Sequence, residues 1–465
     1  MPSDIAQRPG RFIAPDQTYV TVGREVAGIT FLHPRWVLWW LALTASLALV
    51  GLLLISLFFL YWQGVGIWGN NIPVAWALDI VSYDWWIGIA SGGLLVSALM
   101  LLLDMEWRGA LNRITETMSV LAVVAAGIYP IIHLGRSWFF YWNLPYPNSM
   151  VLWPQFRSPL YWDAVDIISF LLISLTFWYL GLLPDLGTLR DRAFERAVEA
   201  KGRGLLRAQL YGIAALGWRG SAVHWQRWTH AYRTVALLGV LLVMSLQAAA
   251  AVMFAGTLEP GWHDTLQPVA FVAAALFAGV GVVAMLAVML RSVFALQPLI
   301  TTRHMEIVAK LLLALGLINI YCYAQEFFNT YLFGDSYEIA TAGRRIAGDG
   351  AWSSWGILVC ALLPVQLFWI PALRRSAKLL CLVGALVAAG MWADHYMVIV
   401  VTLQHDFLPS AARPYSMDVW GVSTLVGVMG LFLFLLLLFL RYIPVVSIIE
   451  TRQLVPPPNP PRRRG

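Results

Sequence analysis

Ten separate stretches of this chain are each long and apolar enough to cross a bilayer, and no feature of the sequence constrains the fold more. About 19 consecutive apolar residues in helical conformation cover the roughly 30 Å of hydrocarbon. Runs of this kind fall near residues 36–61, 80–103, 114–134, 164–184, 234–258, 268–290, 307–333, 351–371, 378–402 and 419–442. Backbone groups in lipid must be satisfied within the segment, so each run is predicted to be a helix. The expected fold is an all-α polytopic membrane protein of ten spans. Composition agrees, because 60% of the 465 residues are hydrophobic and only 12% are charged, against about 25% charged in soluble domains. A soluble enzyme, a disordered chain, a disulfide scaffold and a nucleic-acid-binding module are excluded on this ground.

Orientation follows from where the cations lie. One set of connecting segments collects 25 Lys and Arg, the other five, and Lys310 falls inside the seventh run. The positive-inside rule makes the 25-cation side cytoplasmic, so both termini are expected inside and the number of spans must be even. The net charge of +6 therefore reports topology and does not point to an anionic partner. The expected organisation is a cytoplasmic N-terminal segment 1–35, a transmembrane domain 36–442 and a cytoplasmic tail 443–465. The mostly polar residues before the first run do not fit a cleavable signal peptide.

Two connections are long. The cytoplasmic one, 185–233, mixes Arg, Glu and Leu from Leu189 to Leu206 and reads as a surface amphipathic helix or headgroup anchor. The outer one, 135–163, is rich in proline and aromatic residues and is expected to fold back as an ordered cap. The three cysteines, Cys322, Cys360 and Cys381, lie in apolar runs without a Cys-x-x-Cys pair. They support neither a disulfide framework nor an iron–sulfur cluster bound by this chain.

Ionisable groups within the spans are costly, about 2.5–3.5 kcal/mol at the bilayer centre, so each is a functional candidate. Mapped by depth, Asp84, His133, Asp163, Asp166, Glu326, Asp394 and His395 lie toward the outer face, and the inner half has little apart from Lys310. His133 ends the third span, Asp163 begins the fourth, and Tyr129 and Asp166 join them on the same helix faces. A histidine beside a carboxylate under an aromatic lid suits oxidation of a quinol, whose two hydroxyls each lose a proton. An imidazole, ordinarily titrating near about pH 6.5, accepts one, and the carboxylate orients it or takes the other. Other readings stay open on these residues alone. His133 fits an interfacial residue bonded to a carbonyl, Asp163 a helix N-cap or first-turn acid, and Glu326 with Asp394 and His395 a structural polar cluster. A b-type haem would need two facing imidazoles, for which His133 and His395 are the available pair.

The runs Trp85-Trp86-Ile87-Gly88-Ile89, His133-Leu134-Gly135-Arg136 with Trp138, Pro145-Tyr146-Pro147-Asn148, Trp153-Pro154-Gln155-Phe156-Arg157-Ser158-Pro159-Leu160 and Trp162-Asp163 resemble the NrfD/PsrC family of quinone-interacting membrane subunits. More narrowly they look like the ActC type of bacterial alternative complex III. Pro184-Asp185-Leu186, Gly217-Trp218-Arg219-Gly220-Ser221 and Asp406-Phe407-Leu408-Pro409 continue the likeness, which runs from about residue 30 to 450. The resemblance implies two four-helix bundles, spans 2–5 and 6–9, with two flanking helices, one on each side.

It also implies quinol oxidation at the periplasmic face of a bacterial inner membrane, with menaquinol or ubiquinol as substrate and no haem, iron–sulfur cluster or metal held by this chain. Electrons would pass to a periplasmic iron–sulfur subunit and on to c-type haem subunits, beside a homologous membrane subunit. The implied quinol-site pair is His133 and Asp163. Arg136, Trp138, Tyr129 and Asp166 would shape the pocket, and Asp84, Asp394 and His395 are neighbours. The sequence departs from the family at Ser91, where a span 2 histidine is expected, at Gln247 and Met253, where a span 5 histidine and aspartate are expected, and at Asp394–His395 in place of an acid–arginine pair. These departures thin the polar line through the bundles. Competing readings are a sister membrane subunit without the quinol chemistry or with proton translocation, the anchor of a molybdenum oxidoreductase, a secondary transporter, and a scaffold without activity. A transporter would be expected to carry its polar residues near the midplane.

Overall fold

The computed structural model describes residues 12–32, 35–405 and 407–455, and every regular element among them is helical. Ten helices have the length and apolarity to span a membrane: span 1 Trp36–Gln63, span 2 Ala77–Leu102, span 3 Arg108–Ile132, span 4 Tyr161–Glu199, span 5 Ala222–Ala255, span 6 Gln267–Val293, span 7 Thr302–Phe333, span 8 Ala351–Trp369, span 9 Ala377–Val401 and span 10 Val419–Tyr442. The expected ten runs are all present. Their ends differ where a helix outlasts the apolar stretch. Span 4 continues past Pro184 to Glu199, held by the buried stripe Leu186, Leu189, Ala193 and Ala197 at the spacing of one helix face. The amphipathic run from Leu189 is therefore mostly the end of span 4 and not a separate surface helix. Gly202 and Gly204, both at positive φ, turn the chain into a second short helix, Leu205–Ala214, which packs back on span 4.

Spans 2, 3, 4 and 5 close one four-helix ring, and spans 6, 7, 8 and 9 close another. Spans 2 and 6 join the two rings; span 2 is the most enclosed, with 83% of its apolar window buried, and spans 3 and 6 follow at 67% each. They cross backbone to backbone. A Cβ on Gly92 would lie 2.8 Å from the Gly279 Cα and 2.3 Å from the Ala275 carbonyl oxygen, so only glycine permits this approach. The flanking helices differ from expectation. Spans 1 and 10 pair with each other and lean together on the first ring, tied by Trp39 Nε1 donating to Leu437 O at 2.9 Å and by the Ser56–Thr424 hydroxyl contact at 2.7 Å. Spans 8 and 9 each contain a π-helical stretch, Ile357–Leu362 and Met397–Val401.

The basic end of the bundle corrects the expectation that this half is almost free of ionisable groups. Arg108, Arg113 and Glu116 on span 3 are all buried. Arg113 pairs with Asp185 of span 4 at 2.8 Å, and Arg108 pairs with Glu450 at 2.6 Å. Glu450 belongs to a C-terminal helix, Ile448–Gln453, within the segment expected to be a tail. Asp185 also accepts the backbone N–H groups of Ile448 and Ile449 at the start of that helix, where the helix dipole favours an anion. Tyr232 of span 5 accepts from Arg108 at 2.6 Å and donates to Glu116, which also accepts from Ser97 at 3.0 Å. Buried charges persist when paired and hydrogen-bonded in this way. A helix in the N-terminal segment, Tyr19–Leu32, packs against the C-terminal one.

Candidate functional site

At the opposite end, that of the aromatic cap, the first turn of span 2 meets the last turn of span 3. Ala77 begins span 2 at φ 49°, a left-handed conformation unusual for a residue with a Cβ. The Asp79 N–H then donates to Trp76 O at 3.0 Å. Asp79, Ser82 and Trp86 follow at positions i, i+3 and i+7 and so share a face. On span 3, Tyr129 lies one turn before His133. The His133 N–H donates to Tyr129 O at 2.9 Å, and the helix ends as Gly135, at φ 70°, turns the chain away.

His133 Nδ1 lies 3.3 Å from Asp79 Oδ2, with both side chains buried. The Trp76 ring leans over the imidazole at 5.2 Å between centroids. Ser82 and Trp86 lie beside the Tyr129 hydroxyl, which also feels the Asp79 charge. Among the described residues, seven buried polar atoms of this group lack a well-formed hydrogen bond: both Asp79 oxygens, both His133 nitrogens, Ser82 Oγ, Trp86 Nε1 and Tyr129 Oη. These atoms face one another in two loose groups, His133 with Asp79 and Tyr129 with Ser82 and Trp86, where buried polar atoms are more often tightly paired. With Nδ1 turned to the carboxylate, Nε2 is the nitrogen free to accept a proton.

Asp163 is not the carboxylate in contact with His133. It is half-buried on span 4, within electrostatic reach of His133, Asp84 and Asp166. The N-cap of its helix is Ser158 and the first turn carries no acid, so Asp163 is neither cap nor first-turn residue. Asp84 in turn senses Asp394 and His395 on span 9, which links the two bundles along one level. There Tyr323 donates to Asp394 at 2.7 Å, His395 Nδ1 lies 2.7 Å from Met391 O, and Glu326 pairs with Arg345 at 2.7 Å. Arg345 comes from a helix outside the membrane spans, Ser336–Ala347, and also donates to Gly261 O and Thr402 Oγ1.

Two expected pocket residues point elsewhere. Arg136 is exposed, and Trp138 is 58% exposed and packs 6.0 Å from Tyr61. The cap itself forms a 3₁₀ helix, Ser137–Asn143, followed by a loop tied by Asn148 to Leu152. Several of its large side chains, among them Trp142, Trp153 and Trp162, are exposed. The aromatic wall against His133 is Trp76, not the cap. Asp79 escapes sequence reasoning because the apolar window begins at residue 80, one position beyond it. The Asp79–Ser82–Trp86 spacing is the available signal. At two of the positions where the chain departs from the resembled pattern, Gln247 Nε2 donates to Ser91 Oγ at 2.7 Å, so the replacements satisfy one another.

Comparison with known proteins matches residues 66–405 to the family described as polysulphide reductase, NrfD. The chain is similar to the C subunit of selenate reductase from Mesobacillus selenatarsenatis, 24% identical over 431 residues, which covers 86% of this chain and 92% of that protein. It is also similar to a protein of Halobacterium salinarum named as a dimethyl sulfoxide reductase membrane component, 24% identical over 222 residues, covering 48% of this chain and 45% of that one.

Proposed function

The chain belongs to the NrfD family of quinone-interacting membrane subunits of oxidoreductase complexes, and from that premise we propose that it binds and oxidises quinol at the cap end. The observation that carries this reading is the buried His133–Asp79 contact, with Tyr129, Ser82 and Trp86 on the same helix faces. A quinol loses two protons and two electrons. His133 Nε2 accepts the proton of one hydroxyl while Asp79 fixes the imidazole through Nδ1. The second proton passes to the outer carboxylates Asp163, Asp166 and Asp84, of which Asp163 lies within electrostatic reach of His133. Trp76 supplies the wall for the ring. Both electrons leave to an iron–sulfur cluster held by a partner protein.

The excess of cations at the other end supports placing the cap end in the periplasm and both termini in the cytoplasm of a bacterial inner membrane. The motifs at 133–163 support an alternative complex III type of assembly, with c-type haem subunits and a homologous membrane subunit. A second reading, the anchor of a molybdenum oxidoreductase, is supported by the relative named as part of a selenate reductase. The two share the quinol site and differ in partners, so identifying the proteins that copurify distinguishes them. The site is tested by His133→Ala in the assembled complex. Loss of a positioned proton acceptor is expected to lower quinol-dependent reduction of the downstream acceptor about 100-fold with every partner protein still present; unaltered turnover would overturn the assignment.

A further inference from the structure

Away from the quinol site, at the basic end, spans 1, 6 and 10 enclose a cleft of about 430 Å³. Its walls are apolar: Leu38, Ala42 and Leu49 from span 1, Leu286 and Met289 from span 6, and Leu433 from span 10. The small residues Ala42, Ala45 and Ser46 hold one wall back, and Ser46 gives its hydroxyl proton to Leu43 O at 2.9 Å. The cleft interior therefore offers nothing to a polar guest and suits a hydrocarbon chain.

The rim is different. Arg35, immediately before span 1, and Arg441, in the last turn of span 10, both line the cleft. The Arg441 guanidinium lies over the Trp39 ring at 5.2 Å, and Arg35 Nε donates to Val293 O, the last residue of span 6, at 3.3 Å. Among the described residues neither arginine has a carboxylate within ion-pair distance. Trp36 and Trp40, 61% and 51% exposed, stand at the same level, as aromatic residues do at the boundary between hydrocarbon and headgroups. Two cations without a carboxylate partner among the described residues are thus held, at interfacial depth, over the polar mouth of an apolar slot.

We propose that this cleft is a binding site for an anionic phospholipid, with an acyl chain between spans 1, 6 and 10 and the phosphate bridged by Arg35 and Arg441. Basic pockets between helices at the cytoplasmic boundary recognise anionic headgroups by this combination. The lipid would fasten the span 1 and span 10 pair to the second bundle, which it otherwise meets through few elements. The site is independent of the quinol reading, since it lies at the other end and takes no redox chemistry.

The test is native mass spectrometry of the purified complex after delipidation, titrated with phosphatidylglycerol or phosphatidylcholine. The unaltered complex is expected to retain phosphatidylglycerol at least tenfold better than phosphatidylcholine. Arg35→Gln with Arg441→Gln should abolish that preference, Arg441→Lys should keep most of it, and Ala45→Trp, which fills the slot, should reduce binding of both lipids. Equal retention of the two lipids by the unaltered complex, unchanged preference in the double glutamine variant, or a quinone as the molecule displaced by Ala45→Trp would overturn the proposal.

Discussion

Nδ1 of His133 and Oδ2 of Asp79 stand 3.3 Å apart, bringing the last turn of span 3 against the first turn of span 2. The separation exceeds that of a tight charge-assisted bond, and apo sites often show such slack before substrate aligns the groups. The pairing makes Asp79 the residue that sets which imidazole nitrogen is free.

Asp79→Asn keeps the shape of the side chain and removes the charge that holds Nδ1–H. Quinol-dependent turnover is expected to fall roughly 10- to 100-fold, measured as acceptor reduction by the intact complex. Asp163→Asn should have the smaller effect. A larger loss for Asp163→Asn would make Asp163, and not Asp79, the working partner of His133.

Trp76 contributes surface and no titratable group. Trp76→Ala is expected to raise KM for quinol about tenfold, the order of one lost aromatic contact, while leaving kcat within about threefold. Steady-state kinetics with a short-chain quinol separate the two, and a fall in kcat alone would remove Trp76 from the substrate wall.

At the basic end, Glu450→Gln removes the nearer counter-charge of Arg108, at 2.6 Å, and leaves Glu116 at 3.8 Å, in a site where all three side chains are less than 10% exposed. Breaking a buried pair from one side costs about 3–5 kcal/mol, so the variant should denature at distinctly lower temperature in detergent. Arg108→Met combined with Glu450→Leu should recover most of the loss. Equal instability of the single and double variants would mean that shape, not charge, dominates there.

Gly92→Ala places a methyl group against the Gly279 backbone and the Ala275 carbonyl. Overpacking of this kind costs about 1–3 kcal/mol, and the expected readout is a lowered thermal midpoint with loosening of the contact between the two bundles. Gly127→Ala, where a Cβ meets nothing within 4 Å, is the matched control and should be neutral.

The spans are legible in the sequence because bilayer thickness alone selects long apolar runs, and no tertiary knowledge is required. What is not legible depends on distant partners. Charge excludes Arg108 and Arg113 from the predicted third span, yet both are helical and buried because Glu450 and Asp185 arrive from other parts of the chain. His133 stands out by its depth and motif. Its contact with Asp79 does not, because two helix ends must dock before that carboxylate can be seen as near. Trp138 and Arg136 belong to the same motif as His133, but a helix terminus at Ile132 and a left-handed glycine at 135 direct them outward.

The ion network at the basic end also places a schedule on biogenesis. Asn112 and Glu450, joined at 2.9 Å, are 338 residues apart in the chain. At about 5–20 residues per second of synthesis, the third span must wait roughly 17–70 s for the acid that completes its surroundings. Before Glu450 is made, the carboxylates within reach of its arginines are Glu116 and, once span 4 is made, Asp185. A chain ending a few residues before Ile448–Gln453 would keep the residues of all ten spans and lack the carboxylate that meets Arg108 and Asn112.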